Sequence, residues 1–199
     1  VRVYEWNGST WVQKGSDIFG EAADDHSGES VSLSSDGSIL AIGAPQNDGN
    51  GNNSGHIRIY EWNGSSWVQL GQDIDGEAAG DESGTSVSMN ATGDRVAIGA
   101  TYNDGNGSWA AGHVRIYEWN GSSWIQLGQD IDGEASSDFS GCSVSMNAAG
   151  DRVVIGATGN DDNGLAAGNV RIYEWNGTSW LQLGQDIDGE AAYDQSGWS

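Results

Sequence analysis

Carboxylates recur along this sequence at a spacing that could hold a metal ion. Three segments place Asp, Asp, Glu and Asp at positions 1, 3, 5 and 9, with glycine at position 4. The twelve residues are Asp73, Asp75, Glu77, Asp81, Asp130, Asp132, Glu134, Asp138, Asp186, Asp188, Glu190 and Asp194. Calcium prefers many oxygen ligands, and this spacing is expected to aim several carboxylates at one point. The segments predict calcium-binding loops, with a solvated acidic loop as the alternative.

A fourth acidic segment precedes these three and departs from their pattern. It holds Asp17, Glu21 and Asp25 at positions 1, 5 and 9, but Phe19 stands at position 3. All four segments have glycine at position 12, where an EF-hand places a bidentate glutamate. The predicted calcium loop is therefore not of the EF-hand type.

The residues that could serve as a nucleophile or a base form no single constellation. His56 and His113 share one repeat position, which holds Asn169 in the next copy. This exchange predicts a polar loop contact rather than a catalytic base. Cys142 is replaced by Thr85 in the preceding copy. An active site requires one unique set of groups, so we expect no enzymatic activity.

Repeats organise these residues. Tyr4, Tyr60, Tyr117 and Tyr173 are spaced by 56, 57 and 56 residues, and the surrounding sequence returns with them. About three and a half copies fill the chain, and no separate linker or second domain is visible. We expect a half blade at about residues 1–18, blades at about 29–74, 85–131 and 142–187, and the start of a further repeat at 188–199.

Each repeat predicts four β-strands, illustrated by residues 58–62, 66–70, 86–90 and 95–100. These segments are rich in β-branched and aromatic residues and are separated by turn signals. Asn63-Gly64 predicts a type I′ hairpin turn. Four antiparallel strands per repeat, with large apolar residues on both faces, indicate an all-β propeller whose blades stack on one another.

Two further polar motifs recur with the strands. Segments rich in Asp, Asn and Gly at residues 47–51, 103–107 and 160–164 predict long hairpin loops. The Asn-Gly turns also satisfy the N-glycosylation sequon, although the turn alone explains the asparagine. The candidate glycosylation sites are Asn7, Asn63, Asn120 and Asn176.

Composition restricts the partners. The chain has 29 Asp and Glu against 7 Lys and Arg, which gives a formal net charge of −22. Such a surface repels phosphate groups, so we expect no nucleic-acid partner. No apolar run is long enough for membrane insertion. Ten tryptophans predict a packed core rather than a disordered acidic tail.

The three and a half copies resemble the FG-GAP repeat, which builds the β-propeller at the head of integrin α chains and occurs in many bacterial surface proteins. The resemblance rests on Asp-His-Ser-Gly-Glu-Ser-Val-Ser at residues 25–32, Asp36-Gly37, Ile-Gly-Ala-Pro at 42–45, and Ser-Gly-His-Ile-Arg-Ile-Tyr at 54–60. It implies a propeller on the cell surface or outside the cell. The family's calcium loop lies between the first two strands of a blade, where this chain has short turns, at residues 35–38, 91–94 and 148–151.

These observations favour a non-catalytic extracellular module for adhesion, recognition or surface structure, stabilised by calcium, with a protein or glycan partner. One alternative is a subunit of an extracellular filament or ring that self-associates through open blade edges. Such edges could equally be completed by further repeats of a longer chain. A second alternative is a hydrolase or a lectin-like carbohydrate binder that uses the propeller loops.

Overall fold

Seventeen β-strands form the protein. The computed structural model describes residues 1–199, apart from the side chain of Asn106. The strands are β1 (Tyr4–Trp6), β2 (Trp11–Gln13), β3 (Val31–Leu33), β4 (Ile39–Ala44), β5 (His56–Trp62), β6 (Trp67–Gln69), β7 (Ile74–Asp75), β8 (Ser83–Met89), β9 (Arg95–Ala100), β10 (His113–Trp119), β11 (Trp124–Gln126), β12 (Ile131–Asp132), β13 (Ser140–Met146), β14 (Arg152–Ala157), β15 (Asn169–Trp175), β16 (Trp180–Gln182) and β17 (Ile187–Asp188). A single 3-10 turn covers Gly105–Gly107. The predicted all-β class is confirmed.

The strands form four antiparallel sheets. Sheet I contains β1 and β2, sheet II contains β3 to β7, sheet III contains β8 to β12, and sheet IV contains β13 to β17. In each large sheet four consecutive strands are neighbours, and the short fifth strand also pairs with the third, as β7 does with β5. These sheets are consistent with propeller blades.

Two local features differ from the sequence prediction. The fifth strand was not predicted, because Ile74 and Asp75 were assigned to an acidic loop; Ile74 is buried and anchors the segment beside β5. The prediction of a type I′ turn is also wrong. The hairpin turns over four residues, with the Asn63 N–H donating to the Ser66 carbonyl at 3.1 Å and Gly64 alone at a positive φ of 96°.

Neighbouring large sheets pack closely through small residues. The Ser86 hydroxyl of sheet III donates to the Gly141 carbonyl of sheet IV at 2.7 Å, and the hydroxyl of Ser30, just before β3 of sheet II, donates to the Gly84 carbonyl of sheet III at 2.7 Å. Gly99 lies directly beneath Gly141, where a Cβ atom would lie 2.1 Å from the carbonyl oxygen. The buried core lies between neighbouring sheets, so sheet III, which packs against sheet II on one side and sheet IV on the other, is covered on both faces.

Tryptophan pairs form a second set of contacts between repeats. Each hairpin holds two adjacent tryptophans, as in Trp175 and Trp180, whose ring centroids are 5.4 Å apart. The indole N–H of Trp180 donates to the Leu127 carbonyl of the preceding repeat at 2.8 Å. The sequence predicted these side chains as mostly core; Trp180 is only 2% exposed, but the other tryptophan side chains of the pairs in sheets II to IV are half-buried. Trp11 of sheet I, which has no preceding sheet, is 64% exposed.

The described part of the chain contains no helix of the length and apolar character needed to cross a membrane.

Candidate functional site

The four acidic positions of each predicted segment lie in three different environments. The aspartates at position 9 cap their own segments, since Asp81 accepts the Ala78 N–H at 2.9 Å and Asp138 accepts the Ala135 N–H at 2.9 Å. Asp81 is buried and also accepts the Asn103 amide at 3.0 Å. Asp194 makes the same cap to Ala191 in an exposed position. These carboxylates fix the backbone of the segment.

Position 3 lies in the fifth strand of each sheet. Asp75, Asp132 and Asp188 end β7, β12 and β17. The carbonyl of Asp75 accepts the Arg115 guanidinium at 2.8 Å, and that of Asp132 accepts Arg171 at 2.9 Å. Asp188 is exposed, as is Glu190 two residues later. The main chain at this position therefore links one repeat to the arginine of the next.

Positions 1 and 5 of one segment point to opposite neighbours, which differs from the expected convergence within a loop. Each position-1 aspartate meets the position-5 glutamate of the preceding segment at the seam between repeats. Three clusters result, and in each of them one ligand atom per residue lies within 4.8 Å of the others. Cluster A is Glu21, His56 and Asp73; cluster B is Glu77, His113 and Asp130; cluster C is Glu134, Asp162 and Asp186. Such clusters could hold a metal ion.

Both clustered histidines begin a strand and are buried, whereas the sequence predicted a loop contact. The side chains of His56 and His113 are 1% and 2% exposed. His56 faces Ala44 and Asp75 across the sheet, so the register fixes the ring at the sheet end. Burial lowers the pKa of His56, and burial together with the Arg115 charge lowers the pKa of His113 to about 4. Both imidazoles are thus neutral at pH 7.

Arginines hold the glutamates of the clusters. Arg115 lies 3.7 Å from Glu77 and Arg171 lies 3.9 Å from Glu134. Burial nevertheless raises the pKa of Glu77 and of Glu134, and a hydrogen bond with Asp186 raises the latter further. The pKa of Glu134 is raised first by burial, and the nearby Asp186 and Asp162 add to this effect while Arg171 opposes it.

The turns that replace the family's calcium loop do not fit a metal ion. Asp36 accepts the backbone N–H of Ser38 at 2.9 Å and the Ser38 and Ser34 hydroxyls, and these bonds lower its pKa to about 2. Asp94 likewise accepts the Thr92 hydroxyl and the Asn90 amide. In these two turns one carboxylate oxygen of the aspartate, Oδ1, accepts two or three hydrogen bonds from the turn itself.

A recess opens beside cluster B. Its volume is about 680 Å³, and its lining combines the carboxylates Asp104 and Asp130 with the aromatic rings of Tyr102 and Trp109. Trp109 is 65% exposed, and Tyr102 packs edge-on against Phe139 at 5.6 Å between ring centroids. Sequence reasoning missed Trp109, which follows the second Asp/Asn/Gly loop and has no tryptophan counterpart in the other repeats. That departure from the repeat was the available signal.

The four candidate glycosylation sites, Asn7, Asn63, Asn120 and Asn176, are all exposed at the tips of the hairpins. Their side-chain oxygens accept backbone N–H groups of the turn, as Asn63 does from Ser65 at 2.9 Å. The hydrogen bonds of the turn are thus sufficient to explain the asparagine, and glycosylation stays a prediction.

The FG-GAP repeat profile matches residues 20–60 and 131–173. The resemblance seen in the sequence is therefore confirmed over these two segments. No curated protein sequence matches the chain.

Two solved structures are similar to the chain at low sequence identity. A putative 6-phosphogluconolactonase from Bacteroides uniformis shares 13% identity with a TM-score of 0.56, over 90% of this chain and 46% of that one. The hydrazine synthase of Kuenenia stuttgartiensis shares 9% identity with a TM-score of 0.51, over 88% of this chain and 42% of that one. The chain spans less than half the length of either, and the likeness concerns the fold alone.

Proposed function

We propose that this FG-GAP repeat chain is a non-catalytic extracellular module of propeller type that acts in adhesion or recognition, with calcium bound on its acidic face. The observation that carries the proposal is the use of charged residues at the seams between repeats. Asp81, Asp138 and Arg115 recur in register and bond to the backbone of their own or the adjacent repeat. Groups engaged in this way build a scaffold, and FG-GAP repeats are typical of surface proteins.

Recognition is best supported at the recess beside cluster B. Its carboxylates attract a cationic group, and the exposed Trp109 ring offers a face for cation–π contact. With a net charge of −22, the chain favours a protein partner that presents arginine or lysine. A glycan that stacks on Trp109 is the competing partner.

Trp109→Ala tests this recess. An arginine-containing peptide, titrated calorimetrically at physiological salt, should bind the wild type and bind the variant about 2- to 5-fold more weakly, as expected for one exposed cation–π contact. Trp198→Ala, which removes an exposed tryptophan that does not line the recess, should bind like the wild type. Equal affinity in all three proteins would refute recognition by Trp109. Binding of a neutral oligosaccharide instead of the peptide would favour the glycan partner.

Calcium is proposed at cluster C, whose three side chains offer only oxygen. Glu134, Asp162 and Asp186 carry more negative charge than Arg171 compensates, and a hard divalent cation would relieve their repulsion. The ion would connect sheet IV to the acidic segment that precedes it. Calcium at this seam would stabilise the contact between repeats.

Calcium should raise the melting temperature by about 5–10 °C relative to a chelator. A ligand at 100 times its dissociation constant stabilises the folded state by about 2.7 kcal/mol, and each kcal/mol moves the midpoint of a protein of this size by about 2–4 °C. Scanning calorimetry of Glu134→Gln should show no shift, while Glu5→Gln, exposed on sheet I, should keep it. A wild-type midpoint that calcium leaves unchanged would remove the calcium assignment.

Self-association through the end repeats is a second candidate function. Gly15, Gly71 and Gly128 each contact a tryptophan pair of the following repeat, whereas the equivalent Gly184 has no neighbour within 4 Å of its Cβ position. At the other end, the Trp6–Trp11 pair is exposed. These two surfaces are the halves of a contact that the chain makes internally three times, so one copy could add to the next.

A further inference from the structure

We propose that clusters A and B are two zinc-class sites, in which one histidine, one aspartate and one glutamate bind a divalent transition-metal ion between neighbouring repeats. Cluster A is Glu21, His56 and Asp73, and cluster B is Glu77, His113 and Asp130. The proposal does not depend on calcium at cluster C, because the residues and the preferred metal differ.

The distances between the ligand atoms are too long for hydrogen bonds between the side chains and suit binding to a shared metal ion. His56 Nδ1 lies 3.6 Å from Asp73 Oδ2 and 3.9 Å from Glu21 Oε2, and His113 Nδ1 lies 3.9 Å from Glu77 Oε2. These distances exceed a hydrogen bond. Zinc bonds to nitrogen and oxygen place tetrahedral ligands about 3.3–3.5 Å apart, so a small inward movement would bring all three onto one ion.

The imidazoles give independent support for a bound ligand, because they are buried and lack hydrogen-bond partners in the part of the chain that the structure describes. Both rings are at least 98% buried, and among the described residues nothing hydrogen-bonds to Nδ1, which faces the carboxylates. The other ring nitrogen, Nε2, is buried without a hydrogen-bond partner in both histidines. A buried polar group normally finds a partner, and a neutral imidazole with a free lone pair is the form that binds metals.

The elements around each cluster position the ligands from two repeats. His56 begins β5 and Asp73 stands just before β7, the strand that pairs with β5. Glu21 comes from the preceding acidic segment, where Arg58 lies 3.9 Å from its other oxygen, Oε1. Arg58 also binds the Phe19 carbonyl at 2.7 Å and so holds this segment against the sheet. A metal at cluster A would tie the segment to sheet II, and one at cluster B would tie sheet II to sheet III.

The types of ligand at each cluster determine which metal ion it should prefer. Imidazole favours zinc, nickel or copper, whereas carboxylates alone favour calcium or magnesium. The third seam supplies the comparison within the same chain, because Asn169 stands at the histidine position and donates to Asp186 at 3.2 Å. We therefore expect zinc to bind at the first two seams and not at the third.

The test counts zinc ions on the full chain. After removal of metals with a chelator, the protein is equilibrated with zinc in the presence of millimolar calcium, and bound zinc is measured by native mass spectrometry and calorimetry. The wild type should hold two zinc ions. His56→Asn and His113→Asn should each hold one, the double variant none, and Asn169→His three. Each lost ligand should weaken its own site at least about 10-fold.

Two controls keep the count interpretable. His26→Asn alters an exposed histidine that pairs with Glu29 and should leave two ions bound. Because asparagine already occupies the histidine position in the third repeat, the histidine variants should fold, and their melting curves in chelator would establish this. Two zinc ions on the double variant, or none on the wild type, would overturn the proposal. A count of two for Asn169→His would contradict the histidine as the deciding ligand. None of the counts on the wild type or on the His56 and His113 variants concerns cluster C, whereas zinc in Asn169→His would use Glu134 and Asp186 and so replace calcium there.

Discussion

Gly99→Ala should destabilise the protein by about 4 kcal/mol or more, which places it among the most damaging single substitutions. A Cβ at this position would lie 2.1 Å from the Gly141 carbonyl oxygen and 2.4 Å from the Ser86 hydroxyl. Both atoms belong to one hydrogen bond between sheets III and IV. The obstructing atom is backbone of the adjacent sheet, so it cannot turn aside as a flexible side chain would. The two sheets would have to separate along the seam.

Gly121→Ala provides the matched control for Gly99→Ala. Gly121 has a φ of 95° at an exposed hairpin tip, and its Cβ position has no neighbour within 4 Å. Alanine there costs only the backbone strain of the left-handed region, about 1–2 kcal/mol. Urea denaturation of both variants separates the two effects. Equal losses of stability would contradict close packing of the sheets at Gly99.

The sequence was sufficient to predict the class of fold and the repeating unit. Turn signals and alternating apolar residues marked strands such as Arg95–Ala100, whose predicted and observed bounds coincide. The short strand Ile74–Asp75 was missed because two residues give no periodicity, and its existence depends on pairing with β5. Local pattern predicts hairpins well, but not a strand that forms only against a distant edge.

The sequence predicted most of the acidic residues that form the candidate site, but not which of them lie close together. The acidic positions were visible as one segment, yet Asp130 meets Glu77 of the segment before it and not Glu134 of its own. Only the stacking of sheets decides which neighbour each side chain reaches. The histidines illustrate the same limit. The sequence shows that Asn169 takes the place of His113 in the next repeat, but it does not show that this position is buried at the start of a strand.

Burial of the repeated tryptophans also depends on neighbours rather than on residue type. Trp11 and Trp180 occupy the same position of the same motif, yet 64% of one and 2% of the other is exposed. Trp180 packs over Gly128 and bonds to Leu127 of the preceding repeat, whereas Trp11 belongs to sheet I, which no sheet precedes. The free-energy contribution of this residue should therefore differ between repeats.

Trp180→Ala should lower the free energy of unfolding by about 3–5 kcal/mol, as expected for truncation of a fully buried tryptophan. The loss includes the indole hydrogen bond to Leu127 and the cavity left beside Gly128. Trp11→Ala should cost less than about 1 kcal/mol, because most of its ring already contacts water. Urea denaturation of the two variants measures the difference, and similar losses would contradict the contact between repeats.

The same two variants separate folding from self-association. If a second copy supplies the surface around Gly184 to the exposed pair of sheet I, the wild type should sediment as concentration-dependent oligomers. Trp11→Ala should then shift toward the monomer while keeping its stability, because it alters only the surface that a partner would cover. Trp180→Ala should lose stability at every concentration. A wild type that stays monomeric throughout would exclude assembly through these ends, since an internal contact made three times would then not form between copies.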